Sequence, residues 1–127
     1  MARKKAPKPT DAELAILAVL WEAGPATVRQ VHESLQRKTG YTTVLKFLQI
    51  MTEKRLVERD ARQRSHVYRA RIPREQTQAQ LVSDLLHKAF GGSAARLAMS
   101  ALAQKPASPE ELAEVRKLLK KLEGGGQ

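Results

Sequence analysis

The chain contains no cysteine. Disulfides, thiolate metal sites and cysteine nucleophiles are therefore excluded, and a reducing compartment fits. It also lacks any apolar run near the roughly eighteen residues that a bilayer-spanning helix needs. The basic start "MARKKAPKPT" leads into no apolar segment of the secretion-signal kind before Asp11. These absences make a cytoplasmic protein with no membrane insertion the expectation. Histidine is scarce: His32, His66 and His87 stand far apart, and no carboxylate pair is arranged around them. That spacing argues against a metal site or a catalytic base. No phosphate-binding glycine loop or nucleophile elbow can be argued from the sequence. The chain is accordingly expected to be no enzyme and to need no cofactor, and it holds no internal repeat of useful length.

Acidic residues are also in short supply. Across 127 residues, 23 Lys and Arg face 13 Asp and Glu, for a formal charge of +10. The imbalance is uneven along the chain. Residues 1–74 hold sixteen basic and seven acidic groups, net +9, whereas residues 75–127 hold seven and six, net +1. A basic front of this kind is drawn to a polyanion, and a near-neutral back lets two copies approach each other. The length suits one domain with a core plus an oligomerisation appendage.

What is present reads as a succession of short helices. Residues 1–9 mix four basic groups with two prolines and are expected to form a disordered basic tail. Thr10 with Glu13 three residues on makes a capping box, and Leu14, Leu17, Leu20 and Trp21 stripe a first helix from about 11 to 23 that Gly24-Pro25 ends. Thr27 caps a second helix carrying Val28, Val31 and Leu35, which is expected to run to Lys38. A third begins at Thr42 or Thr43. There Val44, Phe47, Leu48 and Met51 share one apolar arc, and Thr42, Lys46, Gln49 and Glu53 lie opposite, with Thr43, Leu45 and Ile50 on the borders. After Arg55 the period changes to two. Leu56-Val57 and the alternation of Tyr68, Ala70 and Ile72 with Val67, Arg69 and Arg71 predict a two-stranded hairpin around the turn region "ARQRS".

Three helices and a hairpin in a basic segment give the element order of a winged helix-turn-helix, whose third helix enters the DNA major groove. In that reading Thr42, Thr43, Leu45, Lys46 and Gln49 meet base edges: Lys46 a guanine or a phosphate, Gln49 an adenine, and Leu45 or the threonine methyls a thymine methyl. Arg62, Arg64, Arg69 and Arg71 on the hairpin are the expected backbone contacts, which position the protein without reading sequence. A winged-helix module that binds protein is the alternative, and the +9 front argues against it.

Behind Pro73 come further apolar-striped helices. Leu81, Leu85 and Leu86 mark the first and Leu97 and Leu102 the second. Ser108-Pro109-Glu110-Glu111 then combines an N-cap, a first-turn proline and a capping-box glutamate ahead of Leu112, Val115, Leu119 and Leu122. A winged helix over 10–73 needs none of these leucines, so residues 74–123 are expected to form a helical homodimerisation region, and 124–127 a flexible tail. The fold class is mostly α with a small β-hairpin wing.

The stretches "PTDAELAILAVLWEAGPATVRQVHESL", "GYTTVLKFLQIMTEKRLVERD" and "HVYRARI" resemble the penicillinase-repressor (BlaI/MecI-like) family of bacterial regulators. Trp21-Glu22, Gly24-Pro25, Tyr41-Thr42-Thr43-Val44 and Leu56-Val57-Glu58-Arg59 carry most of that resemblance, which covers about residues 9–123. It implies a homodimeric repressor on a pseudo-palindromic double-stranded DNA operator, released when a membrane-embedded sensor metalloprotease cuts the dimerisation region. The chain departs from the family in three places. Arg55 stands where a helix-ending glycine is common, Ile50 where an arginine is common, and the Asn-Phe bond cut in several members has no counterpart in a sequence without asparagine. The corresponding stretch reads "RLAMSALAQ".

Overall fold

A computed structural model describes residues 8–124. The basic tail expected over 1–9 and the flexible tail over 124–127 thus lie outside the described residues, apart from Lys8, Pro9 and Gly124. Two compact units divide the chain, one through Gln80 and the other from Leu81.

The first unit opens with α1 (Asp11–Ala23). Thr10 Oγ1 accepts the Glu13 N–H while the Glu13 carboxylate accepts the Thr10 N–H, which completes the capping box and satisfies two otherwise unpaired donors. Gly24 ends the helix with φ 86°, a conformation that glycine adopts without a Cβ clash. Two extended residues follow as β1 (Ala26–Thr27), then α2 (Val28–Ser34), α3 (Tyr41–Glu53), β2 (Val57–Asp60) and β3 (Val67–Ala70).

The sheet has three strands in the order β1-β3-β2, all antiparallel, with Ala26 opposite Tyr68 and Glu58 opposite Arg69. The expected hairpin is present as β2 and β3, and β1 adds a third strand that the sequence reading does not include. Thr27 is an extended N-cap whose side chain accepts the Gln30 N–H, so the same residue that starts α2 lies straight enough to pair with Val67. The second helix is also shorter than expected. It stops at Ser34 because Gln36 and Arg37 both take positive φ, and the Arg37 N–H folds back onto the His32 carbonyl.

The core is built from Ile16, Leu17 and Leu20 of α1, Val28 and Val31 of α2, Val44, Leu48 and Met51 of α3, and Leu56, Val57, Tyr68 and Ala26 around the sheet. Phe47 and Trp21 pack against this cluster from its rim, partly exposed. The Trp21 indole N–H donates to the Ile72 carbonyl at 3.0 Å, which ties the exit of β3 to α1.

One charged residue belongs to this interior. Glu13 is buried, and Lys54 at the end of α3 reaches its carboxylate at 2.6 Å. Burial alone would push the Glu13 pKa up. The Lys54 ammonium and the Thr10 backbone N–H together outweigh that and hold it below the usual carboxylate value. The pair joins the start of α1 to the end of α3, which fixes the far end of the helix that carries the candidate site.

The second unit completes α4 (Arg74–Ala89) and adds α5 (Ala94–Gln104) and α6 (Pro109–Gly124). Ser93 caps α5, and Ser108 with Glu111 forms a reciprocal capping box at α6, as the sequence implies. No residue from Leu81 to Gly124 is buried.

Candidate nucleic-acid interface

The core arc of α3 fixes its opposite face. With Val44, Leu48 and Met51 buried, helical geometry turns Thr42, Lys46, Gln49 and Glu53 outward, and all four are exposed. Thr43 is exposed on one border of that face. Leu45 lies on the other border, half-buried and packed against the core. The first residue of the helix, Tyr41, is 46% exposed and meets the His32 ring edge to face, with centroids 5.7 Å apart. Periodicity alone starts the helix one or two residues later, at Thr42 or Thr43, and so gives Tyr41 no role.

The hairpin arginines separate into two groups. Arg62 makes a forked contact with Asp60, with its Nη2 and Nε at 2.8 and 3.0 Å. Those bonds, together with the Arg62 backbone N–H, hold the Asp60 carboxyl down to about 2. Arg69 pairs with Glu58 at 2.8 Å, the residue opposite it in the register, and Arg71 stands 3.8 Å from the same carboxylate. These three arginines line a cleft at the end of α3 with Thr52, Arg55 and Arg59. Arg64 sits elsewhere. It lines a second cleft, at the start of α3, with Arg29, Tyr41, Leu45, Ser65 and His66. The Asp60-x-Arg62 spacing is visible in the sequence, whereas the Glu58–Arg69 pair appears only once the register is known.

Arg55 leaves α3 with φ 64° and passes the chain to β2. A residue with a Cβ adopts that conformation at a cost of roughly 1 kcal/mol.

In the second unit, Leu85, Leu102, Leu119 and Leu122 are exposed, and Leu81, Leu86, Leu97, Leu112 and Val115 are half-buried. Val82, Met99 and Leu118 add exposed apolar surface beyond the residues expected to form the dimer contact. Among the described residues, no three His, Cys, Asp or Glu side chains converge as a metal site, and no helix is long and apolar enough to cross a membrane.

Comparison with known proteins is consistent across the chain. The profile of the penicillinase repressor family matches residues 9–121. Two proteins called transcriptional regulator BlaI, from Mycobacterium tuberculosis strains CDC 1551 / Oshkosh and ATCC 25618 / H37Rv, are each 35% identical over 118 residues, covering 91% of this chain and 85% of theirs. On the family profile and these relatives together, this chain belongs to the penicillinase-repressor family.

Proposed function

We propose that the chain is a cytoplasmic DNA-binding transcriptional repressor that grips a pseudo-palindromic operator as a homodimer. The observation that carries this reading is the outward polar face of α3, with Lys46 and Gln49 one turn apart beside the wing, in a member of a repressor family. Thr42, Thr43, Lys46 and Gln49 are the base readers, with Leu45 at the edge of the same surface. Replacing Gln49 with Ala should relax preference at one base pair per half-site, by about 1–3 kcal/mol if the contact is bidentate.

The dimer reading is supported by the second unit. Helices α5 and α6 bury no side chain, although both carry leucine stripes. Burying a leucine contributes about 1.5–3 kcal/mol, so a few such anchors on each copy hold a dimer. Release follows from separating the copies, by a cut within α5 from a membrane-embedded sensor metalloprotease. Without asparagine, either that cut uses a bond other than Asn-Phe, near Ser100-Ala101, or release takes another route.

Gel-shift titration with genomic fragments, the protein's own promoter among them, tests the DNA reading. Saturable retention of one fragment over competitor is the expected result, and no retention at any salt would refute it. If six to ten phosphates are neutralised, affinity should fall roughly 10³–10⁵-fold between about 50 and 200 mM salt. Sedimentation of the full chain tests the dimer: a monomer at tens of micromolar would defeat that part.

A further inference from the structure

Two clefts flank the wing, and they differ in what their arginines already hold. At the end of α3, Arg62 pairs with Asp60 and Arg69 and Arg71 stand against Glu58, and the two further arginines there, Arg55 and Arg59, share the cleft with those two carboxylates. At the start of α3, Arg29 and Arg64 are exposed, and neither guanidinium makes a hydrogen bond or ion pair among the described residues. They line one cleft with Tyr41 and Leu45, which are one turn apart on the flank of α3 next to its polar face. No carboxylate lines that cleft.

We propose that this cleft is a phosphodiester clamp, in which Arg29 and Arg64 take a DNA backbone phosphate from either side and the Tyr41 hydroxyl donates to it. The inference rests on the DNA-binding reading and goes beyond it: it assigns roles to Arg29 and Tyr41 and moves the main backbone contact away from Arg62 and Arg69. An unpaired guanidinium gains a full charge-assisted contact on meeting phosphate. A guanidinium that must first leave a carboxylate gains only the difference between two anions. Location favours the same cleft, because Tyr41 and Leu45 border the face that carries Thr42, Lys46 and Gln49. A strand followed from the bases read by that face reaches a phosphate beside α3's first turn. The contact carries no sequence information, so it acts on every duplex alike.

The test is the salt dependence of full-length protein binding to a mixed-sequence duplex, read by fluorescence anisotropy. Arg29→Ala and Arg64→Ala should each lower the slope of log affinity against log salt by about 0.9 for every phosphate that the variant no longer neutralises. Arg29→Lys and Arg64→Lys should keep the slope, because the charge stays. Arg62→Ala and Arg69→Ala should leave it nearly unchanged. Tyr41→Phe, which retains the ring against His32, should weaken binding to all sequences equally. Unchanged slopes for the Arg29 and Arg64 variants, with a lowered slope for Arg69→Ala or Arg59→Ala, would overturn the clamp and leave DNA binding intact. Wild-type protein that binds no duplex would defeat the DNA reading and the clamp together.

Discussion

Between Ile16 and Tyr68 the chain buries twelve hydrophobic side chains; between Leu81 and Gly124 it buries none. Both regions are written in the same code of amphipathic helices with good caps. The first has a sheet and three helices whose apolar faces meet one another, so each stripe finds its cover within the same unit. In the second, α5 and α6 carry apolar stripes of comparable spacing and still leave Met99, Leu118 and Leu122 more than half exposed. Helical periodicity therefore says that a face is apolar and is silent on what covers it. A helix whose stability comes from a packed face needs that cover, since short helices are marginal alone.

The sharpest way to break this comparison is to remove the second region. A chain ending at Gln80 keeps every buried side chain, including Thr77 of α4. Under the proposed dimer it should retain cooperative melting, sediment as a monomer, and bind paired half-sites roughly 10²–10⁴-fold more weakly than the full chain, because two linked copies would share an effective concentration that the shortened chain lacks. Failure of the shortened chain to melt cooperatively would show that the reader borrows stability from the rest.

Single leucines offer a finer contrast. Leu48→Ala should cost about 2–5 kcal/mol in chemical denaturation at any protein concentration, as expected for a cavity in a closed core. Under the proposed dimer, in which a second copy covers this face, Leu119→Ala should lower the denaturation midpoint by an amount that depends on protein concentration. A concentration-independent loss for Leu119→Ala would end the distinction between the regions.

Glu13 in the first region is buried, whereas among the described residues no charged side chain from Leu81 onward is. Lys54→Ala should cost roughly 2 kcal/mol, less than the 3–5 typical of a fully buried pair because the Lys54 side chain is 28% exposed. The pH dependence of Glu13→Gln is diagnostic. The folded-state pKa of Glu13 lies below the unfolded value of about 4.3, so protonation favours the unfolded chain. Wild type should exceed the variant in stability above that unfolded pKa, and the gap should close as pH falls through the folded one. Equilibrium melts at neutral and acidic pH measure it.

The smallest effect expected is a gain. Arg55→Gly removes a Cβ from a φ of 64° and should stabilise the first region by about 1 kcal/mol, with no change in self-association. A loss instead would mean that the Arg55 side chain contributes more than its backbone strain costs.

Much of the fold was legible because its signals are local. The Thr10–Glu13 and Ser108–Glu111 boxes, the arc of Val44, Leu48 and Met51, and the hairpin alternation each fit within a few turns or one strand pair. What escaped was short or distant. Ala26–Thr27 is a strand of two residues and carries no period to read. The end of α2 depends on positive φ at Gln36 and Arg37, where no glycine gives warning. Glu13 reads as a capping partner, and its burial depends on Lys54, 41 residues away. At the candidate interface the outward face of α3 followed from its core arc. The division of the arginines did not, because Arg69 meets Glu58 only through the strand register, and the isolation of Arg29 and Arg64 is a property of the assembled surface.

The bond from the Trp21 indole to the Ile72 carbonyl spans 51 residues, and the pairing of Ala26 with Tyr68 closes a loop of similar length. During synthesis, the hydrogen bonds within helices α1 to α3 need no later residue, although the helices gain their packed faces only with the rest of the core. The central strand of the sheet and the carbonyl that receives Trp21 arrive last. The reader is therefore a late-closing unit, whose sheet cannot close before the residues up to Ile72 have left the ribosome. A pause in translation soon after Ile72 becomes accessible would give it time to close before the leucine-striped helices of the second region are exposed to other chains.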